Sequence, residues 1–269
     1  MTLKPRQDAY PIDALLPELC NRFQPGRTLL LQAPPGAGKT TRVPLALIGA
    51  LGDEIRRDGQ IWMIEPRRLA ARAAAARLAA SLEEAVGQRI GFAVRGEQRR
   101  SARTQVEVIT DGLFLRRLQA DPSLDGVSCV LFDEFHERRR DADLAFALLR
   151  EAAPLLRPDL SLMLMSATLD ITDLRSRLPE ATVLTSEGRA HPVDTLHQPP
   201  RADEPLPQQV LRAVETHGLD LPKGSGVLVF LPGLAEIERC RERLEHADAL
   251  RHWQICPLHG QLPLERQSD

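Results

Sequence analysis

The sequence predicts an α/β protein in which helices flank a parallel β-sheet. Short apolar segments of strand length alternate with longer segments of helical periodicity along most of the chain, and this alternation is typical of parallel strands joined by helices. Several short segments are apolar throughout, as expected for strands that are covered on both faces. A proline-rich stretch before residue 208 separates this pattern from a second, shorter one.

The first α/β pattern occupies residues 1–190, which we interpret as one domain. Its predicted strands are Thr28–Gln32, Gln60–Ile64, Gln105–Ile109, Ser128–Phe132, Leu160–Met165 and Thr182–Leu184. Its predicted helices lie near Thr40–Leu51, Arg68–Leu82, Gly112–Leu118, Asp141–Ala153 and Ile171–Leu178.

The second α/β pattern follows a linker. Prolines interrupt any regular element in residues 191–207, so this segment is predicted to connect two domains. Residues 208–269 then predict helices at Gln208–Thr216 and Leu234–Leu244 and strands at Gly226–Phe230 and near His252–Cys256. Because this segment is shorter than an α/β domain of ordinary size, we expect it to be the start of an incomplete second domain.

The composition excludes several classes of protein. The chain has 269 residues, of which 43% are hydrophobic and 27% charged, as in globular proteins. Its net charge of −2 means that any contact with nucleic acid depends on a local basic patch. The four cysteines lie far apart without metal-ligand spacing, which fits a reducing cytoplasm. No apolar run approaches the ~18 residues of a membrane span, and we expect no membrane association.

A phosphate-binding loop follows the first predicted strand. The run Ala33-Pro34-Pro35-Gly36-Ala37-Gly38-Lys39-Thr40-Thr41 stands between a strand and a helix, as a P-loop does. Its glycines let backbone N–H groups turn toward a phosphate. Lys39 would contact the β- and γ-phosphates, and Thr40 would bind Mg²⁺. Ala33 replaces the usual first glycine, and a structural glycine-rich turn is the alternative interpretation.

An acidic sequence ends the fourth predicted strand, where Asp133-Glu134-Phe135-His136 follows apolar residues. Asp133 would hold Mg²⁺, with Glu134 and Thr40 as further candidate ligands. Glu134 would also orient or deprotonate the attacking water, and His136 could face the γ-phosphate. The alternative is an acidic cap on a surface loop. We expect the following charge run, Arg138–Arg140, to be a solvated face without a role in the site.

These motifs, in their order along the chain, resemble the DEAH-box branch of superfamily 2 helicases. Further segments of the sequence match the motifs of that branch: Glu65–Arg72 resembles motif Ia, Thr110–Gly112 motif Ib, Ser166–Asp170 motif III and Val227–Gly233 motif IV. Phe135, the segment Ser186–Arg189 and the segment His191–Val193 resemble the bacterial HrpB-type helicases in particular. The resemblance implies two RecA-like domains and an ATP-dependent helicase, a nucleoside triphosphatase that moves along single-stranded RNA or DNA.

The resemblance also implies roles for individual residues. Arg67, Arg68 and Thr110 match positions that contact the nucleic-acid backbone, and Arg77 matches an arginine that lies against the adenine ring. Ser166 and Thr168 match a pair that couples the nucleotide site to domain movement. Other interpretations stay open: Arg77 on a solvated helix face, Thr110 as a helix N-cap and Ser166 as an ordinary strand-end hydroxyl.

Two functions of different class remain open from the sequence. In the family, a Gln-x-x-Gly-Arg-x-Gly-Arg motif of the second domain supplies arginine fingers, and this sequence does not contain it. The chain is therefore either the ATP-hydrolysing part of a helicase or a nucleotide- and nucleic-acid-binding module with little or no turnover. A small-molecule kinase would share the P-loop but not the other motifs.

Overall fold

The computed structural model describes residues 10–50, 59–167, 171–187, 193–222, 224–260 and 262 of the chain. The chain divides into two compact units, residues 1–191 and residues 192–269. The bounds of the linker within residues 191–207 stay a prediction.

The first unit contains a mostly parallel β-sheet, which confirms the predicted fold class. Its strands are β1 (Thr28–Gln32), β2 (Gln60–Glu65), β3 (Ile90–Val94), β4 (Glu97–Arg99), β5 (Val106–Thr110), β6 (Val127–Phe132), β7 (Ser161–Ser166) and β8 (Thr182–Thr185). They are ordered β4-β3-β5-β2-β6-β7-β1-β8 in the sheet. The β3–β4 pair is antiparallel, and the other pairs of neighbours are parallel.

Helices cover both faces of this sheet. They are α1 (Leu16–Arg22), α2 (Lys39–Ala50), α3 (Arg68–Ser81), α4 (Asp111–Ala120), α5 (Arg140–Leu156) and α6 (Ile171–Arg177), with short 3₁₀ turns at Pro11–Ala14 and Phe135–Glu137. Successive side chains of a strand point to opposite faces. Leu29 and Leu31 therefore belong to the core beneath α1, α2 and α3, while Leu30 belongs to the core beneath α4, α5 and α6.

Aromatic rings organise the second of these two cores. Phe114 of α4 packs edge-to-face on Trp62 and Phe132, and Phe132 packs on Phe135 and Phe146 with centroid distances of 5.7 to 5.9 Å. Such contacts add to the free energy gained by burying the rings. They join β2, β6, α4 and α5 at the end of the sheet where the acidic sequence begins.

The structure also contains elements that the sequence analysis did not predict. They are α1, β3 and β4. Gly91 lies within β3, and a Cβ at this position would stand 2.7 Å from the Arg99 carbonyl oxygen, so the close approach of β4 requires glycine. The predicted strands and helices of residues 28–178 are otherwise confirmed to within three residues at their ends, except that Leu51 lies outside the described residues.

The second unit contains helices α7 (Leu206–His217) and α8 (Leu234–Glu245) and a 3₁₀ turn at Asp248–Leu250. The two helices pack around a small core. The strands predicted at Gly226–Phe230 and near His252–Cys256 are wrong, since these residues form no strand. Leu228 and Phe230 are 71% and 88% exposed. Apolar composition alone does not make a strand, because the backbone needs a paired neighbour, and the described part of this unit supplies none.

None of the helices in the described ranges is long and apolar enough to cross a lipid bilayer.

Candidate nucleotide-binding site

The phosphate loop lies at the carboxyl end of the parallel sheet. It follows β1, which stands between β7 and β8, and it ends at Lys39, where α2 begins. The Ala33 N–H donates to the Ser166 carbonyl at 3.0 Å, so the loop is anchored to the end of β7. Gly36 and Gly38 have φ angles of +75° and +96°, which are conformations that glycine adopts without steric cost.

Backbone N–H groups of this loop are free to bind an anion. Within the described ranges, the N–H groups of Gly36, Gly38, Lys39 and Thr40 donate to no protein acceptor. The last two belong to the first turn of α2, where the partial positive charge of the helix is concentrated. Consecutive unpaired donors at a helix N-terminus are a site for phosphate.

Lys39 is the buried cation of the loop, with 4% of its surface exposed. Its Nζ donates to the carbonyl oxygens of Ala33 at 2.6 Å and Pro34 at 3.3 Å. The ammonium group is therefore held inside the curve of the loop by neutral acceptors. No carboxylate of the described residues lies at hydrogen-bond distance from it.

Asp133 reaches the same loop from the end of β6. Its carboxylate accepts a short hydrogen bond from the Thr40 hydroxyl, and its Oδ1 accepts the Glu134 N–H at 2.8 Å. Burial raises the pKa of Asp133, while the bonds from Thr40 and Glu134 and the charge of Lys39 oppose this shift. The structure thus brings together the hydroxyl and the carboxylate that the sequence analysis selected as magnesium ligands.

Glu134 and His136 stand beside Asp133 in a strained turn. Glu134 has φ +48° and ψ +40°, a left-handed conformation that costs a non-glycine residue about 1–3 kcal/mol. Its Oε2 lies 3.3 Å from the His136 Nδ1. Burial first, and then the charge of Asp133, raise the pKa of Glu134. Residues held in rarely populated conformations are concentrated at functional sites.

Glu65 is a further acidic group of this site, which the sequence analysis placed only within motif Ia. It ends β2 and is 3% exposed. Burial, followed by the charge of Asp133 and a hydrogen bond with it, raises the pKa of Glu65 to about 9. An apolar strand that ends in an acidic residue was a signal for this position, as it was for Asp133.

The candidate nucleic-acid contacts lie along the ends of β2 and β5, which are neighbouring strands. Arg67 is the N-cap residue of α3 and pairs with Glu137 at 3.1 Å. Thr110 is the N-cap residue of α4, but its side chain makes no capping hydrogen bond. Thr110 therefore occupies the N-cap position that was its alternative role. Its hydroxyl does not cap the helix, so capping does not account for the hydroxyl.

Arg68 and Thr110 line a cleft of about 1040 Å³ that the sequence analysis did not anticipate. The cleft is rich in arginine: besides Arg68, its lining includes Arg95, Arg100, Arg116, Arg117, Arg139 and Arg140. Its acidic lining residues are Glu97, Asp111 and Asp141. The cleft is thus a local basic surface on a chain whose net charge is −2.

The side chains of Arg138–Arg140 are all exposed, as expected for a solvated face, and Arg138 and Arg139 also contact neighbouring side chains. The Arg139 Nε donates to the Asp111 Oδ2 at 2.5 Å, and this bond raises the pKa of Arg139. Arg138 lies 5.7 Å from the ring centroid of Phe135. Arg140, at 92% exposed, is a solvated side chain. The ion pair links the N-terminal ends of α4 and α5.

The remaining candidate residues are Ser166, Arg77 and Thr168, and only Ser166 of these contacts the phosphate loop in the described part of the chain. Ser166 is fully buried at the end of β7, next to the phosphate loop through its bond with Ala33. Arg77 is exposed on α3, in a position that also fits a solvated face. Thr168, its neighbours Leu169 and Asp170, and the segment 188–192 that includes Gly188, Arg189 and His191 lie outside the described residues.

Comparisons with known proteins agree with this arrangement. A model of the DEAD/DEAH box helicase family matches residues 15–176. The chain is 43% identical over 262 residues to the ATP-dependent RNA helicase HrpB of Escherichia coli, covering 96% of this chain and 31% of that protein. It is 31% identical to the ATP-dependent RNA helicase HrpA homolog of Haemophilus influenzae, with 97% of this chain and 20% of the relative covered.

Solved structures give the same comparison. Two crystal structures of Escherichia coli HrpB, described as a DExH-box NTPase and as a DEAH/RHA helicase, superpose with TM-scores of 0.78 and 0.79 at 40% identity. The alignments cover 98% and 96% of this chain and 32% of each solved chain. The chain therefore spans about a third of the length of its HrpB relatives.

Proposed function

Because the chain belongs to the DEAD/DEAH box helicase family, we propose that it binds ATP or another nucleoside triphosphate with Mg²⁺ and hydrolyses it in response to single-stranded RNA. The observation that supports this most directly is the contact between Thr40 and Asp133 beside the buried Lys39. A hydroxyl, a carboxylate and a cation next to unpaired backbone donors are the groups that phosphoryl transfer requires.

The triphosphate would lie against the loop between β1 and α2. Phosphate oxygens would accept the free N–H groups of the loop Pro35–Thr41, which are those of Gly36, Gly38, Lys39 and Thr40. The Lys39 ammonium would leave the Ala33 and Pro34 carbonyls for the β- and γ-phosphates, since a charged acceptor gives a stronger bond than a neutral one. Arg77 would pack on the adenine ring.

The oxygen atoms of Thr40, Asp133 and Glu134 fit Mg²⁺, which prefers hard oxygen ligands. The described residues contain no cluster of three or more His, Cys, Asp or Glu side chains that could hold a metal by itself. This agrees with a Mg²⁺ that is bound by one or two carboxylates together with substrate phosphates. When bound there, the ion would neutralise charge on the β- and γ-phosphates.

Glu134 would orient the attacking water and accept its proton, because it follows Asp133 directly and its backbone is held in a left-handed conformation. His136, whose Nδ1 lies 3.3 Å from the Glu134 carboxylate without a hydrogen bond to it, would contact the γ-phosphate side. General-base catalysis of this kind contributes about 10²–10⁴ to a rate.

We propose that the arginine-rich cleft, together with Arg67, binds the phosphate backbone of a single strand. Backbone contacts give affinity without sequence information, and Thr110 would add a hydroxyl donor. We propose RNA rather than DNA because both curated relatives are named RNA helicases. Ser166 and Thr168 would couple the nucleotide site to domain movement, and the bond from the Ala33 N–H to the Ser166 carbonyl, which joins this segment to the phosphate loop, supports that role.

We further propose that residues 1–190 form the first RecA-like domain, residues 191–207 the linker and residues 208–269 the start of the second RecA-like domain. The four cysteines are unpaired, which supports a reducing compartment, the cytoplasm. For the 269 residues by themselves, which contain no arginine-finger motif, a second candidate function is a module that binds nucleotide and RNA with little turnover.

One experiment separates these two functions. Steady-state ATPase activity is measured on the 269-residue protein with and without single-stranded RNA, next to Lys39→Ala as a control without the loop cation. RNA-stimulated hydrolysis that Lys39→Ala abolishes supports the enzyme. Nucleotide binding without hydrolysis supports the binding module, and equal nucleotide affinity of parent and Lys39→Ala would refute the site itself.

A further inference from the structure

The segment Tyr10–Asp13 contacts the phosphate loop, although no motif of the sequence assigns it a function. The Ile12 N–H donates to the Ala37 carbonyl at 3.1 Å. Ile12 is fully buried and Ala37 is 1% exposed, so water does not compete effectively for this bond. The Ala37 carbonyl, which lies between Gly36 and Gly38, is therefore held by Ile12, a residue outside the loop.

The ring of Tyr10 lies directly on Gly38. A Cβ placed on Gly38 would stand 2.9 to 3.0 Å from three carbon atoms of the Tyr10 side chain. Gly38 has φ +96°, a conformation that the loop needs to present its N–H groups. Tyr10 is 40% exposed, so its ring lies at the surface against the loop rather than in the hydrophobic core.

Asp13 holds both Tyr10 and the first turn of α2. Its Oδ1 accepts the Arg42 Nε at 2.6 Å, and its Oδ2 accepts the Tyr10 N–H at 3.0 Å. The Arg42 guanidinium lies 5.9 Å from the Tyr10 ring centroid, within the range of a cation–π contact. Arg42 also donates its N–H to the Gly38 carbonyl at 2.8 Å, which closes the contacts around Gly38.

We propose that the Tyr10–Asp13 segment is a brace that keeps the Ala37–Gly38 backbone in the conformation that accepts phosphate, and that Tyr10 is thereby a positioning residue for nucleotide binding. This inference rests on the proposed function, namely that a nucleoside triphosphate binds at this loop. A loop already held in its binding conformation loses less conformational entropy when the ligand binds. The brace acts on the phosphate donors, so its effect does not depend on the base.

The test measures equilibrium binding of three probes: Mg-ATP, Mg-GTP and inorganic tripolyphosphate. Tyr10→Ala is expected to weaken all three to a similar extent, about 3–10-fold, from the loss of the ring contact and the cation–π contact. Tyr10→Phe keeps the ring and should bind like the parent. Asp13→Asn, which removes the ion pair with Arg42, should show a loss of the same kind.

Control variants separate the effect of the brace from a general loss of stability and from a contact with the base. Leu155→Ala truncates a side chain that is 84% exposed on α5 and should change neither binding nor the urea midpoint, which is measured for every variant. Unchanged affinity in Tyr10→Ala overturns the brace. A loss confined to ATP and GTP also overturns it, since Tyr10 would then contact the base. If the parent binds no probe, the proposed function itself fails, and the brace fails with it.

Discussion

Three structural properties of Glu134 bear on its proposed role as general base. It stands next to Asp133, its backbone is held in a left-handed turn, and burial raises the pKa of its carboxyl. A raised pKa makes a carboxylate a stronger base once it is deprotonated. The strain at this turn is maintained by neighbouring contacts, including the packing of Phe135 on Phe132 and Phe146.

We predict that Glu134→Gln keeps nucleotide affinity and lowers the hydrolysis rate by about 10²–10⁴. Glutamine conserves the shape of the side chain and its hydrogen-bonding oxygen but cannot accept the proton. Single-turnover hydrolysis and binding of a fluorescent ATP analogue measure the two effects separately. A variant that hydrolyses as fast as the parent would show that Glu134 does not activate the water.

Single residues of the site were predictable where consecutive residues contain the chemistry. Lys39, Thr40 and Asp133 were selected from local patterns, and the structure places Thr40 and Asp133 in contact. Glu65 was not selected, because its proximity to Asp133 follows from the pairing of Ile64 with Phe132 in adjacent strands. Which strands become neighbours in the sheet is decided by the tertiary fold and cannot be read from the residues around Glu65.

At the scale of elements, β5 and α4 are joined by a buried carboxylate. Glu107 of β5 is fully buried, and Arg117 of α4 donates to both of its oxygens at 2.9 and 3.0 Å. Arg117 also lies 4.8 Å from the ring centroid of Trp62, and Arg100 approaches Glu107 at 3.4 Å. This cluster fixes α4, whose N-cap residue is the candidate contact Thr110.

Arg117→Leu is expected to lower the free energy of unfolding by about 3 kcal/mol, because it leaves a buried carboxylate with a weaker partner. The double variant Glu107→Leu/Arg117→Leu removes both charges and should recover most of this loss. Urea denaturation provides the measurement. If the double variant were as unstable as Arg117→Leu, the destabilisation would come from lost packing rather than from an unpaired charge.

In the second unit, Glu204 fixes the start of α7. Arg212 donates to both of its carboxylate oxygens, at 2.8 and 2.6 Å, and the Arg201 N–H donates to one of them at 3.1 Å. The bond from Arg212 is the main reason that the pKa of Glu204 falls from its ordinary value of 4.5 to about 2. The carboxylate form is thus favoured in the folded unit.

This lowered pKa predicts an acid-sensitive contact. Stability from Glu204 is fully present above pH 4.5, the pKa of the unfolded chain, and is lost as the pH falls toward about 2. Circular dichroism of the protein between pH 6 and pH 2 measures the loss. Glu204→Gln should be less stable at pH 6 and should show a smaller decline in this window. The same acid dependence in parent and variant would contradict the assignment.

Elements were predictable where apolar periodicity coincided with a paired neighbour. The predicted strands of the first unit satisfied both conditions, whereas Gly226–Phe230 satisfied only the first. The apolar strand β3 (Ile90–Val94) satisfied both and was nevertheless not predicted. The opposite error occurred at β4, where Glu97, Gln98 and Arg99 are polar and the strand exists because β3 pairs with it. An edge strand of this kind gives little hydrophobic signal.

At the scale of the whole molecule, the arginine-rich cleft predicts weak, salt-sensitive binding of single strands. The two candidate contacts Arg67 and Arg68 would each release about 0.7 counterion from single-stranded nucleic acid, and every further cleft arginine that contacts a phosphate would add about as much. The logarithm of the RNA-binding constant should therefore fall with the logarithm of salt concentration with a slope on the order of −1 to −2. Fluorescence anisotropy over a salt series, with Arg68→Ala as the comparison, measures this slope.

Movement along the strand requires more than the nucleotide site. A protein of these 269 residues should bind nucleotide and yet not unwind a duplex with a single-stranded 3′ overhang. Its sequence contains no Gln-x-x-Gly-Arg-x-Gly-Arg segment, and arginine fingers contribute about 10³–10⁵ to the rate in related nucleotide hydrolases. Strand movement also depends on closure of two domains around the nucleotide. Strand displacement with ATP and Mg²⁺ is the assay, with Lys39→Ala as the control for contaminating helicase. Unwinding by the parent that Lys39→Ala abolishes would mean that a second copy of the chain supplies the missing groups, and a dependence of the rate on the square of protein concentration would then identify that copy.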